Sequence, residues 1–293
     1  MFHRLLIATD LCEGLQRLVN FVPELAASGL EQIVFFHCVP LQEDRGVPRV
    51  DTNKVAQAQE RLQVALQTVP EGIDIQVDIQ SGRASHLILE AIERHHSDLV
   101  LVGMSTHSLL NEKLFGSTTN HLAQQISVPL LILRPQQVSV YTEEEMALRC
   151  RHLFRYLLIP YDHSPSAQYV VQFIQDRAAD RPPQSLESVM LCWVLEKPGR
   201  RDLHSRQQWE SSQGILEQVQ GAFEALGLQA NAEVCQGEAI SELQRVALEY
   251  DISALAVSSR HFGKVLELSI PSLAGEIIRR SWHPVIFVPP SRG

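Results

Sequence analysis

The sequence predicts an α/β protein made of two repeats, each a doubly wound, parallel, five-stranded sheet with helices on both faces. Three observations carry this. Strand-like and helix-like segments alternate along the chain, the pattern of a parallel sheet with crossover helices. The strand candidates at 99–102 and 130–133 are unbroken apolar runs, as a sheet covered on both faces requires. The second half repeats landmarks of the first at a nearly constant offset.

The repeat sets the domain organisation. Leu5-Leu6-Ile7-Ala8-Thr9-Asp10 resembles Leu157-Leu158-Ile159-Pro160-Tyr161-Asp162 at an offset of 152. An offset of 155 relates Gly82 to Gly237, Val102 to Val257, Ser117 to Ser272 and Pro129 to Pro284. One small length change followed by a fixed register points to tandem domains at 1–136 and 152–293. Residues 137–151, polar at first and containing Glu143-Glu144-Glu145, read as a linker with one helical turn.

In the first half, strands are expected at 4–9, 32–38, 73–80, 99–103 and 130–133, and helices near 15–27, 53–68, 85–95 and 117–126. The third of these helices places Leu87, Ile88, Ala91 and Ile92 on one face, the spacing of an amphipathic surface helix. The second half repeats the plan with strands near 156–161, 188–194, 228–234, 253–257 and 285–288. In such sheets ligands sit outside the carboxyl ends of the strands, at the switch point. Asp10, Val39 and Gly103 fall at three of these ends.

Composition removes several classes. At 293 residues with 45% hydrophobic and 20% charged residues, the chain suits two globular domains. A net charge of −9 argues against a nucleic-acid partner, whose phosphates need Lys and Arg. No apolar run reaches the roughly 18 residues of a membrane span, and no signal peptide is read, so a cytoplasmic protein is expected. Five cysteines, Cys12, Cys38, Cys150, Cys192 and Cys235, form no Cys-x-x-Cys pair, which favours reduced thiols over a disulfide framework. Twelve histidines include no His-Glu-x-x-His, and adjacent His95-His96 cannot face one ion from one helix side, so no metal site is expected.

The segment with chemistry is Val102-Gly103-Met104-Ser105-Thr106-His107, followed by Gly116-Ser117-Thr118. Glycines at 103 and 116 let backbone approach an anion, and residues 117–119 open a helix whose free N–H groups and dipole favour negative charge. Ser117 could equally be a helix N-cap, and Asp10 a turn residue. With Asp10 after the first strand and His37-Cys38-Val39 ending the second, this segment resembles the signature of the universal stress protein family, in its tandem form. That signature reads Gly-x-x-Gly, nine residues, then Gly-Ser/Thr. The resemblance implies a Rossmann-like, adenine nucleotide alpha hydrolase-like fold. It also implies an ATP or AMP site, with or without Mg, formed by Ala8, Thr9, Asp10, Val39, Gly103, Met104, Ser105, Thr106, His107, Gly116, Ser117 and Thr118. In that reading Asp10 and Val39 contact ribose and adenine.

Two departures weaken the match. Thr106 stands where the second glycine belongs, and a left-handed conformation there would cost about 1–2 kcal/mol, a five- to thirtyfold loss of affinity. Leu11-Cys12 replaces the Gly-Ser common after the first aspartate of the family. The second half departs further, with Ser258, His261, Pro271 and Ser272 at the corresponding places. Pro271 has no N–H to offer an anion. Asp162-His163-Ser164 keeps the strand-one ending without the phosphate loop, and Val265, Leu266, Leu268 and Ile270 make that loop apolar. A nucleotide is expected in the first domain alone.

The resemblance implies a stress-response regulator that binds adenine nucleotide and signals by conformation or through a protein partner. A nucleotide-free interaction scaffold is the alternative. A slow ATPase or a switch autophosphorylated at Ser117 ranks last, because the chain has neither Gly-x-x-x-x-Gly-Lys-Ser/Thr nor Gly-x-Ser-x-Gly. The two last strands, both long and apolar, are expected to lie side by side as a pseudo-twofold pair, and two chains to form a homodimer.

Overall fold

A computed structural model describes residues 1–11, 14–44, 47–104, 122, 125–183, 185–196, 205–259 and 272–290. The first half runs β1 (Arg4–Thr9), a 3-10 turn (Leu15–Asn20), α1 (Val22–Ala27), β2 (Gln32–Val39), a hairpin of β3 (Gln42–Asp44) and β4 (Val47–Arg49), α2 (Thr52–Leu62), β5 (Asp74–Ser81), α3 (Ala84–His95), β6 (Leu99–Gly103) and β7 (Leu130–Leu133). Then come α4 (Pro135–Val140) and α5 (Glu143–Arg151). The second half runs β8 (Tyr156–Pro160), α6 (Pro165–Ala179), β9 (Ser188–Leu195), α7 (Ser205–Glu224), β10 (Gln229–Gln236), α8 (Ala239–Glu249), β11 (Ala254–Ser258), α9 (Leu273–Arg280) and β12 (Val285–Val288).

The expected strands are present, most within one residue of their predicted ends. Two details differ. The β3–β4 hairpin was not anticipated, because its three-residue strands carry no apolar alternation. Residues 137–151 hold more than one helical turn: they contain the last four residues of α4 and the whole of α5. Helix α5 is locally well specified. Thr142 accepts a hydrogen bond from the Glu145 N–H, three glutamates fill the first turn, and Arg149 and Arg151 stand in the last.

Strand order is β5-β2-β1-β6-β7 in the first half, all parallel. The second half has the same order, β10-β9-β8-β11-β12. The halves join through β7 and β12, which pair antiparallel with Leu130 opposite Phe287, Leu131 opposite Ile286 and Ile132 opposite Val285. One ten-stranded sheet results, and the two last strands are adjacent, as expected. Each of its two apolar faces crosses the seam. One joins Leu5, Ile7, Leu101 and Leu131 to Leu157, Ile159 and Ile286; the other joins Leu6, Val100 and Ile132 to Leu158, Leu255 and Phe287.

Side chains lock the halves together away from the sheet. Phe2 is fully buried with its ring centroid 5.2 Å from Phe154 and 6.5 Å from Phe173. Arg177 lies over both Phe2 and Phe173, donates to the Met1 carbonyl at 3.2 Å and pairs with Asp98 at 3.6 Å. On the other side of the seam, Arg134 donates through Nε to the Ser281 carbonyl at 2.6 Å and through Nη2 to the Arg279 carbonyl. These carbonyls end α9, where a cation is favoured.

Candidate functional site

Between β1 and β6 the strand order reverses, so the crevice at their carboxyl ends is the switch point of the first half. Ala8 and Thr9 end β1 with Asp10 directly after, Val39 ends β2, and Gly103 ends β6 with Met104 directly after. The sheet therefore gathers these six residues at one end. Ser105, Thr106, His107, Gly116, Ser117 and Thr118 lie outside the described residues, as do His261 and Pro271 of the second half.

The floor of this crevice is built from small groups held by local bonds. The Thr9 side chain is buried, and its Oγ1 accepts from the Leu11 N–H at 3.1 Å. His37 Nδ1 lies 2.8 Å from the Thr9 carbonyl, which can only accept, so Nδ1 carries the proton. Asp10 stays exposed beside this anchored strand end. Val39 is buried and its carbonyl accepts from Gly82 N–H at 3.0 Å, while Cys38 Sγ donates to the Gly82 carbonyl at 3.2 Å. Burial pushes the Cys38 thiol up, although its bond to Gly82 works the other way.

Leu11 has φ of 62°, the left-handed region that favours glycine. The second half does the same with His163, at φ 59°. Both halves therefore make the turn after strand one with a side chain present, at a cost of about 1–2 kcal/mol each. Sequence reasoning missed Arg61, on α2, whose Nη1 lies 3.4 Å from the Leu11 carbonyl and brings a cation to the rim. Its signal was faint: one arginine on a polar helix.

Gly103 does a second job. A Cβ there would stand 3.0 Å from Pro135 Cγ and 3.1 Å from Leu15 Cδ1. A Cβ at Gly14, itself at φ 96°, would stand 3.0 Å from the Pro135 carbonyl. The missing side chains thus seat α4 over the strand ends, with Arg17 donating to the Val138 carbonyl and, at 3.0 Å, to the Tyr141 carbonyl.

The matching crevice of the second half is furnished differently. Tyr161 replaces Thr9, is buried, and puts its hydroxyl 3.3 Å from His163 Nδ1. Trp193 meets the Tyr161 ring edge-on at 5.9 Å. Ser258, at the place of Gly103, donates its hydroxyl to the Val288 carbonyl at 2.7 Å. Ser272, at the place of Ser117, caps α9 by accepting from Gly275 N–H at 3.1 Å. Aromatic rings and satisfied hydroxyls occupy this end. Among the described residues the four cysteines are free, with Cys192 and Cys235 Sγ atoms 3.7 Å apart and buried. Among the described residues no group of three His, Cys, Asp or Glu side chains could hold a metal, and no helix is long and apolar enough to cross a membrane.

Comparison with known proteins gives these features a family. The model of the universal stress protein family matches twice, at residues 1–134 and 154–289. A curated relative, universal stress protein Slr1230 from a Synechocystis strain, is 28% identical over 131 residues, which is 45% of this chain. The chain aligns to only 42% of that relative's length. A universal stress protein structure from Archaeoglobus fulgidus aligns over 99% of this chain and 98% of its own, at 18% identity and a TM-score of 0.66. An Arabidopsis thaliana protein of the family, solved with AMP bound, aligns over 47% of this chain and 93% of its own at 13% identity and a TM-score of 0.34. With both halves matched by its model, the chain belongs to the universal stress protein family, in a tandem arrangement.

Proposed function

We propose that this protein is a stress-response regulatory module that binds one adenine nucleotide, ATP or AMP, in the crevice of its first half and signals by conformation or through a protein partner. The observation that carries this reading is the contrast between the two strand-end crevices. Thr9 and Gly103 leave the first with small groups beside Asp10, while in the second Tyr161 replaces Thr9, Ser258 replaces Gly103, and His163 and Trp193 crowd the Tyr161 ring beside Asp162. In this reading Asp10 would accept from ribose hydroxyls, and Arg61, 3.4 Å from the Leu11 carbonyl, would offer the phosphates a cation. Mg would bind through the phosphates rather than a protein cage. The reading assigns the protein no turnover, and association into a homodimer belongs to the same proposal.

A nucleotide-free scaffold is the second reading, and one observation favours it. The space cleared at Gly103 is taken by Pro135 and Leu15, so that glycine serves packing whether or not a phosphate approaches. Calorimetric titration of the full chain with ATP and AMP separates the two. The expected result is one site per chain, weakened at least about tenfold by Asp10→Ala and unchanged by Asp162→Ala. Absence of saturable binding would establish the scaffold, and sensitivity to Asp162→Ala alone would move the site to the second half.

A further inference from the structure

We propose that Cys192 and Cys235 form an oxidisable dithiol site in the second half, converted to a disulfide by a peroxide and returned to thiols by a thiol reductant. Their Sγ atoms lie 3.7 Å apart. Cys192 stands on β9 opposite Glu233, and Cys235 stands on β10 opposite Val194, so the thiols meet on a diagonal across two paired strands. The corresponding places of the first half hold Phe36, opposite Asp78, and Gln80, opposite Cys38. The fold therefore does not require sulfur here. Strand β10 is a sheet edge, paired with β9 alone, and its free side allows the short shift that closes the sulfurs to the roughly 2.05 Å of a disulfide.

The surroundings make Cys235 the sulfur that reacts first. Its Sγ donates to Glu233 Oε1 at 3.3 Å and accepts from Arg245 Nη2 at 3.3 Å, so a base and a cation meet on one sulfur. Cys235 is 4% exposed and the Arg245 side chain against it 43% exposed, so displacing one flexible side chain admits a small oxidant. Cys192 lies deeper, at 1%. Its hydrogen bond with Cys235, then burial and the Glu233 charge, push its pKa up and keep it a thiol at rest. In the first step Cys235 yields its proton to Glu233 and its sulfur attacks the peroxide. The S–O bond forms, the O–O bond breaks, and the departing hydroxide takes that proton as water. The Cys192 sulfur then attacks the Cys235 sulfenic acid. The S–S bond forms, the S–O bond breaks, and hydroxide leaves with the Cys192 proton as a second water. The dithiol gives up the electron pair that the peroxide gains. The bond forms beside the second crevice, where the Cys192 carbonyl accepts from Tyr161 N–H at 2.9 Å and Trp193, next along β9, meets the Tyr161 ring.

The test treats the folded full-length protein with hydrogen peroxide, alkylates the remaining thiols, and maps peptides by mass spectrometry without reduction. The expected product is a linked pair of peptides carrying Cys192 and Cys235, lost again when dithiothreitol restores both thiols. Cys192→Ser should stop at a Cys235 sulfenic acid that dimedone captures, while Cys235→Ser should leave Cys192 an unmodified thiol. If a serine variant fails to fold, the map of the unsubstituted chain decides by itself. The proposal is overturned by absence of the linked pair in the folded protein, by a linked pair that arises only in denaturant, or by dimedone capture at Cys192 in the Cys235→Ser variant.

Discussion

At the scale of single residues, the two halves solve the same backbone problems at equivalent positions with different side chains. Leu11 and His163 take the left-handed turn after strand one, and His96 and Asp251, at φ 51° and 52°, take it after α3 and α8. The offset of the repeat relates each pair, so the conformation belongs to the fold and not to the residue type. Gly103 shows the reverse, a residue type that packing demands. Gly103→Ala would press a methyl against Pro135 and Leu15, and overpacking of this kind costs about 1–3 kcal/mol. A lower urea midpoint with an unchanged m-value is expected. A variant as stable as the wild type would show that α4 is not seated on Gly103.

At the scale of elements, α3 is tied to the edge strand β5 by charge. Asp78 of β5 accepts from Arg94 Nη1 at 2.7 Å and from His95 Nε2 at 2.9 Å, with Gln80 donating at 2.7 Å. Burial acts to raise the Asp78 pKa, but these bonds and the Arg94 charge outweigh it and hold the carboxyl below its ordinary value of 3.8. In acid the unfolded chain therefore binds the proton more readily than the folded one. The stabilisation is complete above the ordinary carboxylate pKa and is lost as pH falls through the lowered native value. Asp78→Asn should cost about 1–3 kcal/mol at neutral pH and flatten the acid limb. Chemical denaturation at about pH 7 and about pH 3 checks both. Equal slopes for variant and wild type would remove Asp78 from the acid transition.

At the scale of the molecule, the β7–β12 pairing turns two apolar strands that would otherwise be sheet edges into interior ones. The remaining edges are β5 and β10, and they are guarded. Strand β5 alternates Asp74, Gln76, Asp78 and Gln80, and β10 carries Gln229, Glu233 and Gln236. Charged and amide-rich edges resist pairing with another sheet, so a homodimer would have to use helices or loops. Ile132→Pro removes a backbone donor from an interior strand and cannot be tolerated there. It should expose apolar surface to a hydrophobic dye and change the sedimentation coefficient. Unaltered sedimentation without dye binding would mean that the seam does not depend on these strands.

The sequence by itself determined what is local and repeated. Apolar runs placed the strands, the constant offset revealed two copies, and Asp10, Val39 and Gly103 announced themselves at strand ends. The Thr142-capped helix reads in sequence only as a linker with one helical turn, because its mixed face gave no apolar stripe to follow. Only the tertiary structure decided what depends on residues distant in the chain. Tyr161 and Trp193 meet because parallel strands β8 and β9 bring them side by side, 32 residues apart in sequence. Pro135 reaches Gly103 across a similar separation, giving the glycine a packing role that no loop signature contains. Arg134 lacks a carboxylate among the described residues only because the seam aims it at the carbonyls ending α9, which are polar but uncharged. Hydrophobic periodicity specifies which side of an element is buried, whereas charge balance and crevice filling depend on which elements become neighbours.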